Sequence, residues 1–238
     1  MSVLLLRLAG PLQSWGSAAR FARRTTEAAP TKSGVLGMLA AALGRPRTAD
    51  PSDLAALRFG VRVDQPGTPL RDFQTAHDPD TGGALPVSER FYLADAVFVA
   101  AVEGPHDQLT TLHQALRRPG FLPYLGRRSC PPAQPVDLRL RDDADLETAL
   151  RTQPWQASDW HQWRLKDQPQ VDLEVLLEAT GKDGRVNTLR DQPLSFDPAH
   201  RRYALRGVRS FPVTVPNPRA AQPTKHIEHD PTTVLRSE

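Results

Sequence analysis

The hydrophobic pattern opens with a six-residue run, Val3-Leu4-Leu5-Leu6-Arg7-Leu8, that stops at Gly10-Pro11. A short apolar run closed by turn residues predicts a buried strand over residues 2–8. Residues 31–43 carry Val35, Leu36, Leu39 and Leu43 at helical spacing, with Thr31 placed to cap the start and Gly44 to end it, so a helix is expected there. A short helical turn over 53–57 leads into an alternating strand at 58–63, and a weaker strand is expected at 70–75. Residues 76–86 are all turn chemistry and read as the tip of a projecting hairpin. A strand over 91–102 and a helix over 105–118, with Leu109, Leu112 and Leu116 on one face, follow. Beyond residue 135 the pattern gives a strand at 136–140, a helix at 143–153, a strand at 171–177, a turn at 181–184 and an alternating strand at 203–215.

Strand, helix, strand, hairpin, strand, helix is the order of a ferredoxin-like, or RRM-like, fold. The expected class is therefore α+β: one elaborated RRM-like domain over 1–238, a hairpin insertion at 76–90, and a β-rich C-terminal part. The last 15 residues, 224–238, read as a polar tail or docking arm. No stretch is rich enough in Gly, Ser or Pro to mark a domain boundary.

Charge changes this picture more than composition does. The net charge is only +3, with 26 Arg and four Lys among the 30 bases, and the pI is about 9.3. Arginine suits bidentate phosphate contacts and stacking on bases, although a GC-rich genome produces the same bias. The distribution is uneven. Residues 1–47 hold seven bases and one acid, residues 142–183 ten acids and four bases, and residues 198–225 six bases and no acid. If the two basic ends meet in space, the modest total conceals a strongly basic surface. A single cysteine, Cys130, excludes an internal disulfide and a cysteine metal cage. With no apolar stretch near membrane-spanning length and no signal-peptide pattern, the expected location is cytoplasmic.

Several constellations offer anion-binding chemistry, each with a plainer alternative. Trp15 after the first strand either stacks on a base or packs in the core. Arg20, Arg23 and Arg24 either track phosphates or form a solvated basic loop. Lys32 and Ser33, with Thr31 and Gly34, either receive a phosphate at a helix N-terminus or simply cap it; the order is not that of a Walker A motif, so ATP is not expected. Gly126, Arg127, Arg128 and Ser129 form either a phosphate-contacting loop or a surface turn. None of the seven histidines sits in a general acid–base constellation, and His226 and His229 lack the spacing of a zinc helix. Catalytic residues, a metal and cofactors are therefore not expected.

Three blocks carry a family resemblance: LLLRLAGPLQSWGS with RFARRTTEAAPTKSGVLGMLAAALG, then ERFYLADAVF, then YLGRRSCP. Together they span residues 3 to 131 and resemble the CasD family, the subunit of the type I-E CRISPR surveillance complex Cascade that holds the 5′ end of the guide RNA. The resemblance implies a non-catalytic protein that caps the 5′ handle of the CRISPR guide RNA. It implies contacts with the Cascade backbone subunit and the large PAM-recognising subunit, and with target DNA only indirectly. It also implies a thumb at 76–90, with Arg90, Phe91 and Tyr92 at its root, that wedges into the assembly. The alternative, drawn from relatives that cut RNA, is a metal-independent endoribonuclease processing CRISPR precursor RNA.

Overall fold

The computed structural model describes residues 1–16, 23–181, 183–184 and 186–221; Arg20 and the tail at 224–238 lie outside them. In chain order the elements are β1 (Ser2–Ala9), β2 (Leu12–Gln13), β3 (Arg23–Arg24), α1 (Lys32–Ala42), α2 (Ser52–Ala55), β4 (Arg58–Gln65), β5 (Thr68–Gln74), β6 (Ser88–Ala94) and β7 (Val97–Gly104). Then come α3 (His106–Arg117), β8 (Asp137–Arg141), α4 (Leu146–Thr152), α5 (Asp159–Arg164), β9 (Gln170–Glu178), β10 (Asn187–Ser195) and β11 (Arg202–Pro216). Mixed α+β architecture with a dominant sheet and few helices is the result.

Seven strands form the main sheet in the order β10-β11-β9-β4-β7-β1-β8, with every pairing antiparallel. The apolar run of β1, interrupted at Arg7, follows from its position between β7 and β8. Successive side chains point to opposite faces, and both faces are covered. Leu4, Leu6 and Leu8 enter one core with α1 and α3, while Val3 and Leu5 enter a second with α4 and Trp155. Phe98, Ala100 and Val102 of β7 divide from Val99 and Ala101 in the same way.

A buried staple fixes the second core. Arg62 donates bidentately to Asp64, at 2.7 and 2.8 Å, and also to the carbonyls of Leu150, Gln153 and Pro154. Burial pushes the Asp64 carboxyl up, against the pull of Arg62.

The sequence read 91–102 as one strand; the structure divides it. Asp95 has φ of +57°, a left-handed conformation that Asp tolerates better than most residues. The turn sends β6 into a separate small sheet with β2, β3 and β5, while β7 stays in the main one. β5 and β6 pair from Thr68↔Ala94 to Gln74↔Ser88, and beyond them an isolated bridge joins His77 to Ala84. Residues 79–87 at this end are exposed. Four elements were not anticipated: the two-residue strands β2 and β3, the short α5 and the polar strand β10. Among the described residues, no helix is long and apolar enough to cross a membrane.

Candidate anion-binding cleft

A cleft of about 2050 Å³ opens beside α1. Its floor is the face of α1 that carries Ser33, Gly34, Gly37 and Met38; one side is the segment from Phe121 to Pro131, and the other the β10–β11 connection from Leu194 to Tyr203. Local chemistry explains why these three pieces meet. Thr31 caps α1 by accepting from the Gly34 amide at 3.2 Å, the preferred role of Thr before a helix. Phe196 lies on Gly37 of α1, where the missing side chain leaves room for the ring. Leu125 is paired to Ser14 through the Ser14 amide, at 3.1 Å, which holds the arginine loop against the end of β2.

Among the described residues, eight arginines line the cleft, namely Arg24, Arg45, Arg47, Arg127, Arg128, Arg190, Arg201 and Arg202; His200 joins them, and no described carboxylate does. Asp53 takes Arg45 bidentately at 2.6 Å, and this pairing holds the Asp53 carboxyl below its usual range. Among the described residues Arg47, Arg128, Arg190, Arg201 and Arg202 have no ion-pair partner. Arg47 and Arg201 both act on the Tyr203 phenol, opposing the upward push of its burial. The two basic stretches of the chain therefore meet in space. Unpaired like charges facing one cleft are a standing electrostatic cost that a polyanion relieves.

Trp15 is not a stacking surface. It is fully buried, its ring packed on Gly34 and its Nε1–H donating to Gln13 Oε1 at 3.0 Å; the apolar ring stabilises the first core instead. Lys32 is also withdrawn. Only 1 % exposed, its Nζ reaches Glu178 at 3.0 and 3.1 Å, and burial lowers its pKa despite that carboxylate. Asp191 already occupies the helix start, accepting from the Lys32 amide at 2.7 Å. The anion at this N-terminus is a side chain of the protein. Ser33 is buried but lines the cleft.

Arg127 is half-buried, donating to the Arg24 carbonyl at 2.9 Å and lying 4.8 Å over the Tyr92 ring, while its Nη1 is buried without a partner. Arg128 and Ser129 are exposed. Arg23 does not line the cleft; it sits 5.3 Å over Phe91 and 3.9 Å from Glu89. Arg90 and Phe91 are half-buried on β6, but Tyr92 is core and so is not presented to a partner as the hairpin reading required. Arg190, Arg201 and Arg202 were missed as site residues. The acid-free run after residue 198 pointed toward Arg201 and Arg202, and nothing in the pattern pointed toward Arg190.

An α+β protein with an arginine-lined cleft is what this fold defines. The chain matches the family described as CRISPR-associated protein (Cas_Cas5) over residues 3–209, and it belongs to that family. The CRISPR system Cascade subunit CasD of Escherichia coli (strain K12) is 40 % identical over 172 residues, which cover 63 % of this chain and 75 % of that one. A solved structure described as a Cas protein shares 41 % identity at a TM-score of 0.68, covering 92 % of this chain and 98 % of its own. A chain of a CRISPR RNA-guided surveillance complex shares 37 % at a TM-score of 0.75, covering 94 % and 95 %.

Proposed function

We propose that this protein is the Cascade subunit that caps the 5′ handle of the CRISPR guide RNA, acting in the cytoplasm by binding and not by catalysis. The observation that carries the reading is the cleft lined, among the described residues, by eight arginines and no carboxylate. The likeness to CasD and to a chain of an RNA-guided surveillance complex supplies the biological setting. Base pairing of the guide reads the target in such complexes, while protein subunits hold backbone and shape; a sequence-independent arginine track suits the second task. The strand order β8-β1-β7-β4, with α1 and α3 on one face, supports an RRM-like core within the larger sheet. Contacts with the backbone subunit and with the large PAM-recognising subunit belong to the same proposal.

Purified protein should bind a labelled single-stranded handle RNA in EDTA without cutting it. Its log–log salt slope should fall by about 2 when Arg128, Arg201 and Arg202 are changed together to Ala, since each phosphate contact on a single strand contributes roughly 0.7. An unchanged slope would remove the cleft from the argument. Cleavage products in EDTA would move the assignment to an endoribonuclease.

In this proposal the β5–β6 hairpin is a thumb for assembly. Its exposed end at 79–87 contributes little to either core, so deletion of residues 78–84 should shift the melting temperature by no more than about 2 °C. The same deletion should impair incorporation of the subunit at the guide 5′ end. Normal incorporation, with the handle equally protected from nuclease, would refute the thumb role.

A further inference from the structure

Phe121 is 57 % exposed and its neighbour Leu122 is 82 % exposed. Single apolar residues at a surface need no explanation, but these two are adjacent and held in place. Pro119 and Pro123 bracket them. The Gly120 and Phe121 amides donate to the carbonyls of Ala42 and Ala41, at 2.8 and 3.1 Å; the Ala41 carbonyl also accepts from Gly44 at 2.9 Å, so the segment is tied to the end of α1. Gly120 lies so close to Gly44 that a Cβ on it would stand 2.7 Å from the Gly44 Cα. Withdrawing the pair from solvent would break both hydrogen bonds and this contact.

Both side chains line the arginine cleft, together with Arg47 and Arg128. That setting identifies what covers them. A ligand drawn to a cleft lined by these arginines is polyanionic, and a polyanion that also offers flat apolar faces is a single-stranded nucleic acid. The buried, unpartnered Nη1 of Arg127 in the same lining is a further donor awaiting an acceptor. Trp15, the aromatic that the sequence offered for stacking, is buried.

We propose that Phe121, backed by Leu122, is the stacking platform for one unpaired base of the bound RNA. The cleft then grips the strand by a base as well as by its phosphates, and Phe121 fixes which nucleotide sits at the end of α1. This rests on the RNA-binding reading above.

The test uses full-length protein and a handle RNA carrying 2-aminopurine at successive positions. Phe121→Ala should weaken binding roughly tenfold, about 1.4 kcal/mol, with the salt slope unchanged because no charge is lost. Phe121→Trp should retain affinity. One 2-aminopurine position should be quenched by the wild type and by Phe121→Trp, and released in Phe121→Ala. Equal affinities with no responding position would overturn the inference and leave the functional reading intact. Unaltered RNA binding by Phe121→Ala, combined with loss of the subunit from the assembled complex, would overturn it in favour of a protein occupant. A wild-type protein that binds no RNA would overturn the functional reading, and this inference with it.

Discussion

Gly126→Ala is expected to destabilise the protein by about 3–5 kcal/mol, read as a lowered denaturant midpoint. Two costs combine. Gly126 has φ of +84°, where a residue with a side chain is strained by about 1–3 kcal/mol. The Cβ would also stand 1.8 Å from the carbonyl oxygen of Ser14 and 2.7 Å from its carbon. Those are backbone atoms, and they have little freedom to yield. Ser14 is anchored by its amide to Leu125 and by its hydroxyl to the Phe91 carbonyl, at 3.1 and 3.0 Å, and the next residue, Trp15, is core. The close approach that glycine permits here is by the protein's own chain. A Gly126→Ala protein with the wild-type midpoint would refute this account. Loss of RNA by Gly126 variants would consequently report a displaced loop, not a lost contact.

Asp191→Ala should cost a similar amount, about 3–5 kcal/mol, by leaving a buried cation without its partner. Asp191 is fully buried on β10 and accepts from Arg206 Nε and Nη2 at 2.9 and 2.8 Å, and from the Lys32 amide at 2.7 Å. One carboxylate thus joins the start of α1 to β10 and β11, beneath the cleft. Its removal strands the Arg206 guanidinium, which is itself buried, and opens one helix-end donor. Asp191→Asn retains an acceptor for the amide and should lose less. Equilibrium urea unfolding of the two variants distinguishes these outcomes, and a loss below about 1 kcal/mol for the alanine variant would show that water reaches the site and solvates Arg206.

Much of the first half of the fold was legible because its signals are local. Thr31 before an apolar helical period, Gly10-Pro11 after an apolar run and the turn residues around Gly82 each act over a few positions, and the structure places α1, β1 and the β5–β6 connection accordingly. The break at Asp95 was hidden because residues on both sides of it are strand-like; only the Asp itself, between two alanines, hinted at a left-handed turn. β10 escaped because its sequence, NTLRDQPLS, is polar. Its buried Asp191 is explained by Arg206, fifteen positions away and across a hairpin, and by the Lys32 amide at the start of α1. The cleft was half legible. Arg24, Arg127 and Arg128 were found in basic clusters, but Arg190, Arg201 and Arg202 come from a segment whose approach to α1 depends on Phe196 and Asp191. Trp15 and Lys32 looked like ligand chemistry because residue type does not reveal burial.

The placement of the tryptophans gives the protein two sets of optical reporters. Trp15 and Trp155 are buried, whereas Trp160 and Trp163 on α5 are 52 % and 55 % exposed. A charged quencher in solution therefore reaches the α5 pair first and silences the component that has nothing to do with the cleft. The emission that remains comes from the shielded indoles, and of these Trp15 forms part of the cleft wall. Occupancy of the cleft can thus be followed by the spectral shift of the shielded component of an unlabelled protein once the α5 pair has been quenched.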